Sequence, residues 1–562
     1  MLKPMKEFFK NRFVRTILLV VLITSVAAGT TATRNSDFEI AKNLEIFANL
    51  LKKLHTNYVD DIKVGALMET GIKAVLEELD PYTVYVPESK IEDYKLMTTG
   101  AYGGIGSTIQ QRDDYVVVAQ VYQGFAADKA GLKPGDKIIQ VDGDDARGKT
   151  TDEVSSMLKG QAGSSISITV QRMPEKDPIQ LTLTREKIEV PNIPYSGIVD
   201  QNIGYIKLSS FTPGAAQEVK EAYVKLKEQH QLDAVVLDLR NNGGGLLGEA
   251  VKIVNLFVPK GEMVVETRGK LPSKNKTYRT QTEPLDTIIP LAVMVNGNSA
   301  SASEIVAGAI QDLDRGIIVG ENTFGKGLVQ NILPLSYNSR MKVTVARYFI
   351  PSGRCVQAID YANRNKRISQ ADSLRKIFKT RNGRDVYDGD GIYPDVQVSP
   401  DEYNTVSREL LAQNMIFDFA TVYYYQHDSI NAPEVFDLSD ESYQAFSSFL
   451  DKKEFNYQTK TEKQLQKLKE TAKDEQYLAS INSNLTDLKG LLKHNKNQDL
   501  TEFRDEIQHL LELEIVGRYF YRRGKAIYGL KDDKQMDQVL SLLTNRSKYR
   551  EILKPDKTTV NE

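Results

Sequence analysis

Cysteine is all but missing from this chain of 562 residues: Cys355 stands alone, which excludes an intrachain disulfide. No histidine lies near it in sequence, so it reads as a small strand residue rather than a nucleophile. Histidine is scarce as well. His55, His230, His427, His494 and His509 leave the whole stretch between Gln231 and Tyr425 without one. These shortages exclude a zinc site of the Cys/His type, and no metal and no organic cofactor is expected. An excess of one charge is also absent. With 73 Lys and Arg against 75 Asp and Glu the net charge is −2, which offers no electrostatic case for nucleic acid. The glycine-rich run Arg240-Asn241-Asn242-Gly243-Gly244-Gly245 meets neither the Walker spacing nor the dinucleotide fingerprint, so it is not a phosphate loop. What remains, 41% apolar and 26% charged residues, is a globular chain long enough for three or more domains.

The most informative segment is 291–330. The apolar run Leu291 to Val295, closed by Asn296 and Gly297, predicts a buried strand ending in a turn. Ile305, Val306, Ala309, Ile310 and Leu313 then recur at three- and four-residue spacing, the period of one helix face. Ser299, Ser301 and Ser303 sit where strand gives way to helix. Ser301 with Glu304 three residues on also fits a capping box, and taken alone the serines read as helix caps. Phe324-Gly325-Lys326-Gly327 alters that balance. A nucleophilic serine needs a base within hydrogen-bond reach, usually histidine, and here a histidine would have to come from a distant part of the chain. A lysine whose pKa is lowered by burial is the available substitute.

Taken together, Ser299-Ala300-Ser301-Ala302-Ser303-Glu304, Phe324-Gly325-Lys326-Gly327 and Gln330 resemble the active site of the carboxyl-terminal processing (tail-specific) peptidases. These enzymes use a Ser-Lys dyad in which the lysine follows the serine by 25 residues, which selects Ser301 for Lys326. The resemblance implies that Gln330 holds the lysine in line and that Asp312 supports the site. In the 243–245 loop it implies an oxyanion donor at Gly244, with Gly245 the neighbouring alternative, and Ala302 N–H as the second donor.

Five cations, Lys3, Lys6, Lys10, Arg12 and Arg15, precede an apolar stretch from Ile17 to Ala28 and small residues to Ala32. This is the layout of a signal peptide or, uncleaved, an N-terminal membrane anchor over 1–32. Export to the periplasm or cell envelope is expected either way. The region 37–88 reads as helical, with Ile40, Leu44, Phe47, Leu51 and Leu54 in a stripe and a second helix from Val64 to Glu78. The family often uses this region for homodimer contacts.

Residues 90–185 read as a β-rich module: a glycine-rich turn at 100–106, strands at Tyr115 to Val121 and Lys137 to Val141, a helix near Asp152 to Lys159, and a strand from Ser165 to Arg172. Ala130-Gly131-Leu132-Lys133-Pro134-Gly135-Asp136 gives it a resemblance to a PDZ domain. Gly103-Gly104-Ile105-Gly106 is the candidate loop for a substrate's C-terminal carboxylate. An ordinary glycine hairpin is the competing reading. In the resemblance a PDZ ligand either tethers substrate or completes the site.

Strands at 203–208 and 234–239, with helices at 213–230 and 246–257, imply an α/β core over 190–400. The family's core is related to the crotonase and Clp-protease folds. The remainder, 401–562, reads as a charged, solvated helical extension packing on the core. The expectation is thus an exported serine endopeptidase that recognises free, apolar protein C-termini through its PDZ domain and cleaves nearby, with an adaptor protein admitted as a partner. The rival is a catalytically silent PDZ scaffold.

Overall fold

The structure, a computed structural model, describes residues 37–91, 99–173, 177–200, 202–361, 366–367, 376–399, 402–496 and 498–555. The segment 1–32, read above as a signal or anchor, lies outside them. Among the described residues no helix is long and apolar enough to cross a membrane. The chain divides into two compact units, one up to Pro81 and one from Tyr82 onward. The first holds helix 37–57 and helix Val64–Glu77. The 37–57 helix leaves Phe38, Ile40, Leu44, Phe47 and Leu50 exposed.

In the second unit the central sheet has six strands in the order Tyr195–Asp200, Ile203–Lys207, Ala234–Asp238, Leu291–Val295, Ile317–Gly320 and Val396–Gln397. All pairs from Ile203–Lys207 onward are parallel. A parallel strand is covered on both faces and so reads as an unbroken apolar run; every residue of Leu291–Val295 is fully buried. Helices Ala215–Gln229, Leu247–Phe257 and Ala302–Asp312 are the crossovers. Ala234–Asp238 and Leu291–Val295 are direct neighbours. The loops leaving their C-terminal ends, 239–246 and 296–301, are therefore brought side by side, where open α/β sheets carry their sites.

A second sheet supplies the other half. Arg340–Phe349 pairs with Val84–Val86, Met263–Gly269 and Leu328–Pro334. Leu328–Pro334 begins two residues after Lys326, and its register shifts at the step from Val329 to Gln330, a bulge that re-aims a side chain.

The β-rich module is an antiparallel sheet in the order Ser107–Arg112, Tyr115–Val121, Lys137–Val141, Ser165–Gln171, Ile179–Thr184. Helix Thr151–Leu158 packs Val154 and Leu158 onto its core, and Ser107–Arg112 is an edge strand. One expectation is corrected. Residues 101–104 are not a turn but a strand paired with Glu186–Glu189. Gly103 is needed there because a Cβ would lie 1.9 Å from Gly160 O, and Gly160 N–H donates to Gly103 O at 3.1 Å. Only Ile105 and Gly106 remain to turn the chain, and the Ile105 side chain is buried in the module's core.

The C-terminal region is less solvated than its composition predicts. Leu410, Phe419, Phe446, Leu511, Ile515 and Val516 form part of a core of its own. Helix Lys534–Thr544 lays Met536, Val539, Leu542 and Leu543 on the central sheet beside Val236 and Met294. At about 1.5–3 kcal/mol for each large side chain buried, this contact is an integral part of the fold.

Candidate active site

Ser301 is the last residue before helix Ala302–Asp312, with φ 57° and ψ −110°. An ordinary N-cap is extended, whereas a positive φ on a non-glycine residue is a strained state that persists only where its surroundings enforce it. Part of the enforcement is visible. Gly244 has φ 97°, and a Cβ on it would lie 2.9 Å from Ser301 Cβ and 2.6 Å from Ala300 O, so only glycine allows this approach. Asn242 joins the two loops: its carbonyl accepts from Ala300 N–H at 3.0 Å and from the Ser303 hydroxyl at 2.8 Å.

The three serines separate cleanly. Ser299 and Ser303 are fully buried. The Ser299 hydroxyl donates to Leu239 O and accepts from Asn296 N–H, both at 2.9 Å, and Ser303 is held by Asn242. Ser301 instead lines a cleft of about 620 Å³ whose walls include Lys326, Gln330, Gly244, Gly245, Ala302 and Tyr348. The candidate nucleophile, base and oxyanion residues thus meet in one space.

Glu304 draws these parts together. Its carboxylate has no exposed surface. One oxygen accepts from Thr323 Oγ1 at 2.6 Å and Gly325 N–H at 2.8 Å. The other accepts from Ser301 N–H at 2.8 Å and Lys326 N–H at 2.9 Å. Burial raises its pKa, opposed by these hydrogen bonds. The sequence identifies Glu304 only as a cap; that it also holds the lysine loop has no local signal. On the far side, Lys326 Nζ lies 4.4 Å from the centre of the Tyr82 ring, and the Tyr348 hydroxyl donates to Ser301 O at 3.2 Å. Gln330 donates to Thr344 Oγ1 at 3.2 Å.

On the oxyanion side Gly244 N–H donates to Asn242 Oδ1 at 2.9 Å, whereas no hydrogen bond engages Gly245 N–H or Ala302 N–H among the described residues. The loop is anchored from below. Asp238 accepts from the Tyr205 hydroxyl at 2.7 Å and pairs with Arg240 at 2.8 Å and Lys207 at 3.0 Å. Despite its burial, the two cations hold its carboxyl well below the usual range. Arg240 also reaches Asp533 at 2.7 Å.

Asp312 does not join the site. It ends the helix that Ser301 begins, roughly 15 Å away at 1.5 Å per residue, and makes a fully buried pair with Arg354 at 2.8 Å. Burial raises its pKa against the pull of that arginine. Gly103, Gly104, Ile105 and Gly106 belong to the β-rich module and line no part of this cleft.

Comparison with known proteins agrees with this architecture. Residues 202–362 match peptidase family S41, 117–172 match the PDZ domain, and 406–543 match the C-terminal helical domain described for a probable PDZ-protease. A carboxy-terminal-processing protease of Bartonella bacilliformis is 35% identical over 344 residues, 61% of this chain and 77% of that protein. A probable CtpA-like serine protease of Staphylococcus aureus is 32% identical over 360 residues, 62% of this chain and 70% of that protein. Among solved structures, a photosystem II D1 C-terminal processing protease is 29% identical, covering 62% of this chain and 85% of its own, with a TM-score of 0.35. The α/β core, the PDZ domain and the helical C-terminal region expected from the sequence are all present, and the extent of identity to the Bartonella protein places this chain among the carboxy-terminal-processing serine proteases of peptidase family S41.

Proposed function

We propose that Ser301 and Lys326 are the nucleophile and general base of a Ser-Lys dyad. Ser301 Oγ attacks the scissile carbonyl carbon as Lys326 Nζ takes the hydroxyl proton. The tetrahedral oxyanion lies between Ala302 N–H and an N–H of the 243–245 loop, favoured by the N-terminal end of helix Ala302–Asp312. Gly244 is the donor the family pattern suggests; Gly245 has the uncommitted N–H. Collapse breaks the C–N bond, the lysine ammonium returns its proton to the leaving amine, and water attacks the acyl-enzyme by the same route. Gln330 limits the freedom of the lysine from the neighbouring strand, and Asp312 acts only by stiffening the helix.

The observation that carries this reading is that Ser301 faces the cleft Lys326 also lines, while Ser299 and Ser303 are buried and bonded elsewhere. Ser301→Ala and Lys326→Ala should each abolish cleavage of a protein substrate without lowering the melting temperature, since members of a catalytic unit fail together. Cleavage by either variant at the wild-type rate refutes the dyad.

The substrate's free, apolar C-terminus adds as a strand to the open edge of Ser107–Arg112, opposite helix Thr151–Leu158, with its carboxylate at the Ile105–Gly106 turn. Residues 1–32 direct export to the cell envelope, which fractionation of cells expressing chains with and without them tests. The exposed stripe of helix 37–57 suits a second copy of the chain, testable by light scattering.

A further inference from the structure

Three cations line the catalytic cleft, Lys326, Lys342 and Arg522, and no Asp or Glu is among the described residues of its wall. Lys326 has its role in the dyad; the other two have none in the reaction above. Lys342 sits on Arg340–Phe349, flanked by Ile332 on one side and Val84 on the other. Gln330 pairs with Thr344 on the same two strands. Because side chains alternate along a strand, Lys342 projects from the same face as Thr344, about 7 Å along. It is partly buried, and burial lowers its pKa with no neighbouring charge contributing. No ion pair or hydrogen bond to its side chain occurs among the described residues.

Arg522 comes from the other end of the chain. Its neighbour Tyr521 interrupts the Arg504–Tyr528 helix with φ 54° and ψ −151°, an outlier for a bulky residue. Two contacts hold it: the Tyr521 hydroxyl donates to Asp128 of the PDZ domain at 2.7 Å, and its ring packs on that domain's core. The kink turns Arg522 into the cleft beside Tyr122. There it opposes the rise that burial imposes on the Tyr122 phenol pKa. Arg522, too, has no ion pair or hydrogen bond among the described residues.

A desolvated cation without a counter-charge is costly, and here two such cations line one cleft. We propose that Lys342 and Arg522 form a subsite for a carboxylate carried by the substrate close to the scissile bond. That carboxylate is either an Asp or Glu side chain or the α-carboxylate of a short tail being removed. This rests on the cleft being the site of peptide cleavage. Both residues bind and position substrate and take no part in bond making.

The test uses the full chain and internally quenched peptides in two series. In one, Glu replaces Gln at each position flanking the scissile bond; in the other, a neutral peptide with a short tail is supplied as free acid or amide. For charge-assisted contacts, kcat/KM should favour the anionic member by about five- to fiftyfold in at least one series, and the preference should shrink as salt is raised. Whichever series responds identifies the source of the carboxylate. Lys342→Gln and Arg522→Gln should bring the ratio towards one, and Arg522→Glu should invert it in favour of Lys-containing peptides. Melting temperatures of the variants identify any loss of fold, and the strand variant and the helix variant check each other. Equal rates for anionic and neutral peptides in both series, or an unchanged ratio in both Gln variants, overturns the subsite. If wild type and Ser301→Ala cleave every peptide alike, the dyad itself is refuted, which is a separate result.

Discussion

Replacing Glu304 tests how the site is held together. Its four hydrogen bonds divide evenly between the two carboxylate oxygens. In Glu304→Gln the amide nitrogen fits best beside Thr323, whose hydroxyl can turn to accept, so that Gly325 N–H loses its partner and the Thr323 O–H gives up its acceptor. One orphaned buried donor costs about 1–3 kcal/mol, and the retained bonds lose their charge assistance. Expressed wholly in the transition state, that is a factor of about 5 to 150 in rate. Glu304→Ala orphans three N–H groups and a hydroxyl, about 4–12 kcal/mol at the same cost for each. That approaches the whole stability of a typical domain, so this variant should not fold. Kinetics on a quenched peptide, with calorimetric melts on the same preparations, read both effects. Full activity and an unchanged melt for Glu304→Gln, or a stable Glu304→Ala, would refute the claim that this carboxylate joins the serine turn to the lysine loop.

Three further outcomes are expected. Burial raises the Glu304 pKa above the solvent value of 4.5, so activity should fall on acidification through that raised range, a limb absent in Glu304→Gln. The folded chain takes up this proton more readily than the unfolded chain, so the same titration should not by itself lower the melting temperature; a rate flat down to the solvent value counts against this. Ser299→Ala, which leaves Asn296 N–H unpaired, should cost about 1–3 kcal/mol in a denaturant melt, and Ser303→Ala, whose acceptor Asn242 O keeps Ala300 N–H, about 0.5–1.5 kcal/mol; both should keep measurable turnover, and a dead Ser303→Ala beside an active Ser301→Ala would reassign the nucleophile. Amidating an apolar substrate tail should slow its cleavage. An apolar tail peptide added in trans should accelerate cleavage of a short peptide if PDZ occupation completes the site, and leave it unchanged if the domain only tethers.

What could be read from the sequence depended on how local its cause was. Tyr115–Val121, Lys137–Val141 and Leu291–Val295 are strands with the expected ends, because apolar runs between turn residues carry their own boundaries. The Ser301 and Lys326 segments stood out because their composition and 25-residue spacing match the family's pattern, and the fold brings both to one cleft. The strand at 101–104 was not legible, since its partner is Glu186–Glu189 and glycine carries no strand signal. Glu304 was half legible: its bond to Ser301 is a three-residue pattern, whereas those to Thr323, Gly325 and Lys326 depend on the tertiary fold. Lys342 and Arg522 had no signal at all, because an unpaired cation on a wall looks in sequence like any solvated one. The helical C-terminal region was read as surface because its charged runs outweighed Met415–Gln426, a helix with apolar residues all round.

Tyr521 and Arg522 are adjacent in the chain but serve different surfaces, the first bonded to Asp128 of the PDZ domain and the second in the cleft wall. The PDZ domain therefore cannot be excised as a detachable accessory. Truncation would release the kink that aims Arg522 and would uncover the ring of Tyr521, so a drop in turnover would report a damaged wall as much as a lost tether. A clean separation of the two leaves Asp128 and Tyr521 in place and blocks the open edge instead, for example with proline on the outward side of Ser107–Arg112. Evolution faces the same constraint: the domain's groove can drift towards new tails, but its seat on the helical region cannot move without redrawing the cleft.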